Sequence, residues 1–278
     1  MNQQNIGIIA LDLDGTLLDT QKCLSERNRA ALCRAAELGI EIVPTTGRFY
    51  NAIPAVVREL PFLHYAITIN GAQVQNIQTG DVLYRAEMRW QQAVELMEYL
   101  DTLPAFYDCY QENRGWMTAA MQSRVSEAVH DPLYLAMIRD LRAPVPELKA
   151  FLTERKLGVQ KVQVYPGSGE RRTALLRTLS TRFPHLIATS SIAENVEINA
   201  KDANKGRALL ALAAHLGLNP EQTMSFGDGL NDLTMLRDAG VGVAMANGVA
   251  EAKAAAALVT VSNDEDGVAA VIERLILS

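Results

Sequence analysis

Two aspartates separated by one residue carry the clearest chemical signal in the sequence. Asp12 and Asp14 follow an apolar run, residues 6–11, whose isoleucine-rich composition is typical of a strand buried on both faces. A buried carboxylate is costly unless it is paired or bound to a metal. Because ligands of open parallel sheets lie beyond the carboxyl ends of the strands, we expect Asp12 and Asp14 to take part in chemistry.

Three further apolar segments end in polar residues. Thr45-Thr46-Gly47-Arg48 follows IEIVP, Asn70-Gly71 follows YAITI, and Gly227-Asp228-Gly229 follows TMSF. If all four strands are parallel neighbours, their polar ends meet at one edge of the sheet. That edge then holds several carboxylates, hydroxyl groups and glycine turns.

Carboxylates that converge in one cleft repel each other, so they either take up protons or surround a cation. Asp12, Asp228 and Asp232 are the candidate side-chain ligands. Oxygen ligands without neighbouring His or Cys favour a hard ion, and Mg²⁺ fits best. Such a metal would in turn attract the oxygens of a phosphate group.

The same edge offers groups that hold an anion. Gly47 and Gly227 allow backbone N–H groups to approach closely, helices that begin beyond these turns add their positive ends, and Thr46 adds a hydroxyl group. A lysine completes the set if it reaches this edge. Lys205 stands at a predicted helix start and is favoured, and Lys201 is the alternative.

Composition limits the class of protein. The chain has 278 residues, 49% of them hydrophobic, which suits one or two folded domains. The net charge of −6 argues against a nucleic-acid-binding surface, and every long apolar stretch is too short or too polar to span a membrane. The three cysteines lack metal-ligand spacing, and the first five residues are polar and uncharged. We expect a cytoplasmic protein with reduced thiols and without a secretory signal.

The alternation of strand and helix patterns predicts an α/β fold, with a doubly wound, mostly parallel, Rossmann-like core sheet. The rhythm changes near Gly80. From there the sequence indicates helices around 90–100 and 169–182 and strands at AFYDCY, VQKVQVY and HLIATS, with prolines 132, 144 and 146 interrupting the middle. We therefore predict a core domain of residues 1–82 and 196–278 with an inserted α+β domain of residues 83–195. The alanine run 254–257 is predicted to be helical.

Four ordered motifs resemble those of a known family. Asp12-Leu13-Asp14-Gly15-Thr16, Thr46-Gly47-Arg48, Lys205-Gly206 and Gly227-Asp228-Gly229-Leu230-Asn231-Asp232 are similar to the signature motifs of the haloacid dehalogenase-like superfamily. The last motif, the Asn70-Gly71 pair and the insert between motifs two and three resemble its Cof-type phosphatases. Phe49 departs from the pattern, because proline usually follows the Thr-Gly-Arg motif.

The resemblance implies a role for each matching residue. Asp12 would be the nucleophile that forms an aspartyl-phosphate, and Asp14 the general acid and then the base. Mg²⁺ would be bound by Asp12, the backbone carbonyl of Asp14 and Asp228, with Asp232 supporting the site through water. The remaining matches would hold the phosphoryl group: Thr46, the amides of Leu13 and Gly47, Lys205 and Asn231.

The resemblance also implies a substrate class. The insert would be a cap that closes over the cleft, excludes water and contacts the leaving group, and Asn70 would touch the substrate. We therefore expect a Mg²⁺-dependent phosphatase that acts on small phosphorylated metabolites such as sugar phosphates. A phosphomutase that uses the same phospho-aspartate and a non-catalytic sensor of phosphorylated ligands are the alternatives. The oligomeric state stays open.

Overall fold

The computed structural model describes residues 5–190, 192 and 194–278. The chain forms two compact units. The core unit comprises Met1–Arg48, Ile53–Arg85 and Asn204–Ser278, and the insert unit comprises Phe49–Ala52 and Ala86–Ala203.

The strands and α-helices are numbered in chain order. The strands are β1 Ile8–Leu11, β2 Glu41–Pro44, β3 Tyr65–Thr68, β4 Gln73–Asn76, β5 Val82–Arg85, β6 Phe106–Gln111, β7 Arg114–Thr118, β8 Arg142–Val145, β9 Lys161–Tyr165, β10 Leu186–Thr189, β11 Val196–Ala200, β12 Thr223–Gly227, β13 Val241–Ala244 and β14 Leu258–Val259. The helices are α1 Glu26–Glu37, α2 Ala55–Arg58, α3 Trp90–Leu100, α4 Ala119–Arg124, α5 Pro132–Leu141, α6 Leu148–Arg155, α7 Gly169–Arg182, α8 Lys205–His215, α9 Leu233–Asp238, α10 Ala250–Ala255 and α11 Gly267–Leu275.

A five-stranded parallel sheet forms the centre of the core unit, in the order β14-β13-β12-β1-β2. All four residues of β1 are buried, as its continuous apolar run predicts. Leu11 pairs with Phe226 on β12 and with Pro44 on β2, so three of the polar segments begin at the same level. The predicted α/β class and parallel core sheet are confirmed.

The fourth segment is placed differently from the expectation. Strand β3 pairs antiparallel with β4 in a separate three-stranded sheet, β3-β4-β5. An isolated parallel bridge between Thr45 and Ile67 joins its end to the chain that follows β2. Asn70 therefore follows a strand of a separate sheet that meets the chain after β2 at a parallel bridge, so three of the four strands are members of the one parallel sheet.

Helices cover both faces of the parallel sheet. On one face α8 packs through Leu209 and Leu212 against Ile8, Ala10 and Val43. The helix α1 lies against β2 and α11, and Ser25 caps it by accepting a hydrogen bond from the Asn28 amide.

The alanine run 254–257 is only partly helical. Helix α10 ends at Ala255, and the Ala257 amide donates to Gly242 O at 3.0 Å, which leads the chain into β14. The sequence prediction was wrong here, because alanine favours a helix without requiring one and the parallel sheet offers this backbone a competing partner.

The insert unit is built on a six-stranded sheet in the order β10-β11-β9-β6-β7-β8, in which the β7–β8 pair alone among the described pairs is parallel. Alternate residues of its strands, such as Cys109, Val162 and Ile198, pack with α3, α6 and α7 in an apolar core. The two helices and three strands predicted from the sequence are present.

The middle of the insert unit holds elements that the sequence did not reveal, among them α5 and α6. Pro132 does not interrupt structure: it occupies the first turn of α5, where proline lacks an amide that would be unpaired anyway, and Asp131 caps the helix. Pro144 lies on β8, an edge strand, where a missing N–H is tolerated.

The bounds of the insert unit differ from the predicted domain bounds at 82/83 and 195/196. Strand β11 pairs with β9 and β10, and this pairing carries the insert unit on to Ala203. Residues 49–52 also cluster with the insert unit, since the Phe49 ring stacks edge-on against Tyr110 at a centroid distance of 5.3 Å. Among the helices of the described residues, none has the length and apolar character needed to cross a membrane.

Candidate active site

Asp12 lies immediately beyond β1 and is almost completely buried. Its amide donates to the carbonyl of Phe226 at 3.0 Å, which continues the pairing of β1 with β12. The carbonyl oxygens of Asp12 and Leu13 accept hydrogen bonds from Leu17 and Leu18, so the chain turns tightly after the strand. This turn fixes the Asp12 side chain at the carboxyl edge of the sheet.

Three carboxylates converge at this edge. Oxygen atoms of Asp12, Asp228 and Asp232 lie within 4.8 Å of one another. Thr16 Oγ1 donates to Asp228 Oδ1 at 3.0 Å, and Gly15 leaves room for this carboxylate: a Cβ atom there would lie 2.6 Å from Asp228 Oδ2. Gly15 has a φ of +88°, which disfavours other residues independently.

Asp232 is fully buried and its two oxygens have different partners. Oδ2 accepts hydrogen bonds from the amides of Asp228 and Gly229, at 2.9 and 2.8 Å, while Oδ1 is bound by Lys205. Asp232 thus orders the turn that presents Asp228. The sequence motif carries this information, because the two aspartates are four residues apart across a glycine turn.

Lys205 begins α8 and is fully buried, with Asn204 as the N-cap. Its ammonium nitrogen lies 2.6 Å from Asp12 Oδ1 and 2.6 Å from Asp232 Oδ1. Burial works against the charge of this lysine, but the two carboxylates outweigh it and raise the Lys205 pKa. The alternative considered from sequence, Lys201, is exposed and belongs to the insert unit.

Burial and mutual repulsion raise the pKa values of the carboxyl groups of Asp12 and Asp228. Burial raises the pKa of Asp12 well above its usual value, against the charge of Lys205, and Asp232 and Asp228 add to the rise. Burial, with Asp232 next, raises the pKa of Asp228 to about 6. When all three carboxyl groups are ionised, they and the one ammonium carry two negative charges, and their oxygen donors match a hard divalent cation. The residues present therefore fit Mg²⁺.

Asp14 lies apart from this carboxylate cluster. Arg48 holds it with two hydrogen bonds, Nε to Oδ2 at 2.8 Å and Nη2 to Oδ1 at 2.9 Å, and Lys22 Nζ lies 2.9 Å from Oδ1. Burial would raise the pKa of Asp14, but Arg48 and then Lys22 outweigh it and lower the value to about 2. Nothing in the sequence pointed to Lys22, which stands in a loop beyond the motif.

The predicted anion-binding residues lie around the same edge of the core unit. Thr46 is buried, and its carbonyl accepts a hydrogen bond from the Asn70 amide at 3.0 Å. Asn231 Nδ2 lies 3.3 Å from Asn70 Oδ1, so these two side chains are neighbours. Gly47 and Leu13 are in the turns next to Thr46 and Asp12; Leu13 is fully buried and Gly47 is half-buried.

The backbone at Asn70 is strained. Ile69 has a φ of +53° and Asn70 a φ of +58°. Left-handed backbone is rare for a β-branched residue and persists only where surrounding contacts enforce it. The amide of Ile69 donates to Arg48 O at 3.0 Å, parallel to the Asn70–Thr46 bond. This strain brings the Asn70 side chain to Asn231.

Comparison with known proteins decides the family. Residues 9–272 match the family model described as haloacid dehalogenase-like hydrolase. The chain belongs to the haloacid dehalogenase-like hydrolases. This confirms the resemblance drawn from the motifs and the prediction of a hydrolytic enzyme.

The relatives match nearly the whole chain. The putative phosphatase YxeH of Bacillus subtilis (strain 168) is 31% identical over 282 residues, 98% of each protein. The 5-amino-6-(5-phospho-D-ribitylamino)uracil phosphatase YcsE of the same organism is 28% identical and covers 98% of this chain and 97% of that protein. The solved structure of a haloacid dehalogenase-like hydrolase from B. subtilis has a TM-score of 0.84 at 26% identity, and the match covers 98% of this chain and all of that one. These phosphatase relatives support the narrower prediction of a phosphoric monoester hydrolase.

Proposed function

We propose that this protein is a Mg²⁺-dependent phosphatase that hydrolyses small phosphate monoesters, such as sugar phosphates, through an aspartyl-phosphate at Asp12. The observation that carries the proposal is the position of Asp12. Its carboxylate ends the central strand, meets the buried ammonium of Lys205, and lies in a cluster with Asp228 and Asp232. Phosphoryl transfer depends mainly on positioning and charge neutralisation, which this arrangement supplies.

Asp12 attacks phosphorus, and the bond from phosphorus to the leaving oxygen breaks as the bond to Asp12 forms. Lys205 is the permanent cation of the site. Its two carboxylate contacts hold it beside the nucleophile, where it neutralises charge on the transferring group. Thr46, the amides of Leu13 and Gly47, and Asn231 orient the phosphoryl oxygens.

Mg²⁺ would be held by Asp12, Asp228 and the backbone carbonyl of Asp14, with Asp232 fixing the turn that carries Asp228. When bound, it neutralises the negative charge of the cluster and of the phosphoryl group. The protonated Asp14 carboxyl group gives its proton to the leaving oxygen and becomes a carboxylate, which then accepts a proton from the attacking water. Its contacts with Arg48 and Lys22 favour the carboxylate form, which suits the second of these steps.

The insert, predicted as residues 83–195, would act as the cap that excludes water and contacts the leaving group, with Asn70 as a further substrate contact. A cap favours small molecules over folded phosphoproteins. The relative YcsE bears the name of a phosphorylated ribitylamino compound, which agrees with a substrate of this size.

The decisive experiment measures inorganic phosphate released from a panel of phosphorylated metabolites and from p-nitrophenyl phosphate, with Mg²⁺ and with excess EDTA. We expect release with Mg²⁺ and none with EDTA. Asp12→Asn should abolish turnover with the fold retained by circular dichroism. Asp81→Asn, an exposed loop variant of the core unit, is the matched control and should keep full activity.

Three outcomes would contradict the proposal. Turnover by Asp12→Asn would exclude the nucleophile assignment, and full activity in EDTA would exclude the metal. Retention of the phosphoryl group in an isomeric product, without release of inorganic phosphate, would instead identify a phosphomutase.

A further inference from the structure

A tight loop after the aspartate turn presents Lys22 to Asp14. The side chain of Asp19 accepts hydrogen bonds from the amides of Gln21 and Cys23, at 2.9 and 2.8 Å. The Asp19 amide donates a hydrogen bond to Cys23 O, and the Asp19 carbonyl accepts one from the Lys22 amide. Lys22 itself has a φ of +63°, a left-handed conformation that is unfavourable for lysine. The local sequence thus enforces a strained backbone whose effect is to direct Lys22.

The loop is also fastened from outside. The amide and the hydroxyl group of Thr20 both donate to the carboxylate of Asp264, at 2.8 and 2.7 Å. Asn263 Nδ2 donates to Leu18 O at 3.0 Å, just before the loop. Contacts on both sides therefore fix the backbone of the loop that carries Lys22. The pairing of Lys22 with Asp14 thus follows from the structure of the core unit.

Two cations pair with one carboxylate at this point. The guanidinium of Arg48 and the ammonium of Lys22 both contact the carboxylate of Asp14. Arg48 already bonds both oxygens of Asp14. An ammonium group has three donors, and the contact with Asp14 Oδ1 uses one of them. The Lys22 side chain is 47% exposed, so the remaining donors face solvent.

The position of Asp14 indicates which part of the substrate lies near Lys22. A general acid lies about 3 Å from the leaving oxygen of the substrate. Lys22 Nζ is 2.9 Å from Asp14 Oδ1, so when this oxygen donates the proton, the ammonium lies within about 6 Å of the leaving oxygen. Atoms attached one or two bonds beyond the ester oxygen therefore come within its reach.

We propose that Lys22 is a specificity-determining residue, and that the enzyme prefers phosphate monoesters whose leaving group carries an anionic group, such as a carboxylate, close to the ester oxygen. The ammonium of Lys22 donates to that anion. This inference rests on the proposed function, because it places the leaving group at Asp14.

Three esters of similar size and different charge test the proposal: phosphoglycerate, glycerol phosphate and phosphoethanolamine, whose leaving groups are anionic, neutral and cationic. We expect kcat/KM to fall in that order for the natural protein. Lys22→Asn removes the ammonium but tolerates left-handed backbone, and Lys22→Gln replaces it by an uncharged polar side chain only one atom shorter. Both should reduce the preference for phosphoglycerate over glycerol phosphate about tenfold, mainly through KM. Lys22→Arg should keep the preference.

A merely structural role of Lys22 would lower kcat/KM equally for all three esters, and that result would overturn the proposal. So would an unchanged ratio in Lys22→Asn and Lys22→Gln. Arg27→Gln, which removes an exposed cation paired with Glu273, controls for general attraction of anions and should leave the ratio unchanged. If the natural protein releases phosphate from none of these esters nor from p-nitrophenyl phosphate, the proposed function fails first and the Lys22 proposal fails with it.

Discussion

The ammonium nitrogen of Lys205 lies 2.6 Å from Oδ1 of Asp12, and both side chains are buried. The two residues are 193 positions apart in the chain, one beyond a central strand and the other at the start of a helix that packs on it. This contact makes the position of Asp12, the proposed nucleophile, depend on the packing of α8. It also places a cation beside Asp12 that does not depend on a bound metal.

Removal of this cation should destabilise the metal-free protein. In Lys205→Met, Asp12, Asp228 and Asp232 lose the positive charge that offsets their repulsion, and breaking a buried ion pair typically costs about 3–5 kcal/mol. We expect a lower urea midpoint by circular dichroism in EDTA, substantial recovery with Mg²⁺, and loss of phosphatase activity in both. An unchanged midpoint in EDTA would show that Lys205 does not stabilise the cluster.

The same cluster gives the metal-free protein an unusual dependence on pH. Asp228 has a folded pKa of about 6, above the usual 3.8, so the folded state binds more protons than the unfolded state between these values. The free energy of unfolding therefore falls as pH rises from about 4 to 6, and Asp12 acts in the same direction. Asp14, with a folded pKa of about 2, contributes stability above pH 4 that is lost only in stronger acid.

Urea midpoints at pH 4.5 to 7, with EDTA and with Mg²⁺, check this prediction. The difference between the midpoints in Mg²⁺ and in EDTA isolates the contribution of the carboxylate cluster, because the other titrating groups contribute equally to both. We expect the increase in urea midpoint caused by Mg²⁺ to become larger as pH rises. In Asp228→Asn this increase should depend less on pH. A stabilisation that is independent of pH would contradict the raised pKa values.

Gly15 should be required for the proposed metal site more than for the fold. A Cβ atom at Gly15 would lie 2.6 Å from Asp228 Oδ2, so Gly15→Ala displaces this carboxylate. We expect the Mg²⁺ concentration for half-maximal activity to rise at least about tenfold, as for loss of a supporting contact at a metal site. Gly39→Ala is the matched control: it has a similar φ of +83° but open space around it, so it costs only backbone strain. Equal Mg²⁺ requirements in the two variants would argue against displacement of Asp228.

Much of the carboxylate site could be predicted from the sequence, for a physical reason. Asp12 and Asp228 each follow a strand that is buried along its length, and a charge at such a point has to have a partner. Lys205 follows Asn204, a strong N-cap residue, at the start of an apolar helical stripe. Each of these signals depends on a short stretch of sequence. The register of the parallel strands brings the residues concerned together at one edge of the sheet.

Other parts of the site could not be predicted, because they depend on contacts between loops. Lys22 reaches Asp14 only through a strained turn held by Asp19 and by the distant Asp264. The position of Asn70 depends on β3 pairing with β4 instead of joining the parallel sheet. An apolar run of four residues fits either pairing equally well.

The insert unit offers a last prediction, about its own stability. Arg142 Nε donates to Asp108 Oδ2 at 2.9 Å, and both side chains are fully buried. Asp108 Oδ1 and Arg142 Nη1 have no hydrogen-bond partner among the described residues. A buried pair with unsatisfied atoms gains little over an apolar pair, whereas removal of one partner leaves a buried charge alone. Asp108→Leu and Arg142→Met should therefore each lower the free energy of unfolding by about 3–5 kcal/mol, and the double variant should lose less than either.

Both tryptophans of the chain, Trp90 and Trp116, belong to the insert unit, so their fluorescence reports its unfolding in urea. Arg124→Gln, which breaks an exposed pair with Glu127, should leave the midpoint unchanged, and additive losses in the double variant would disprove the coupling.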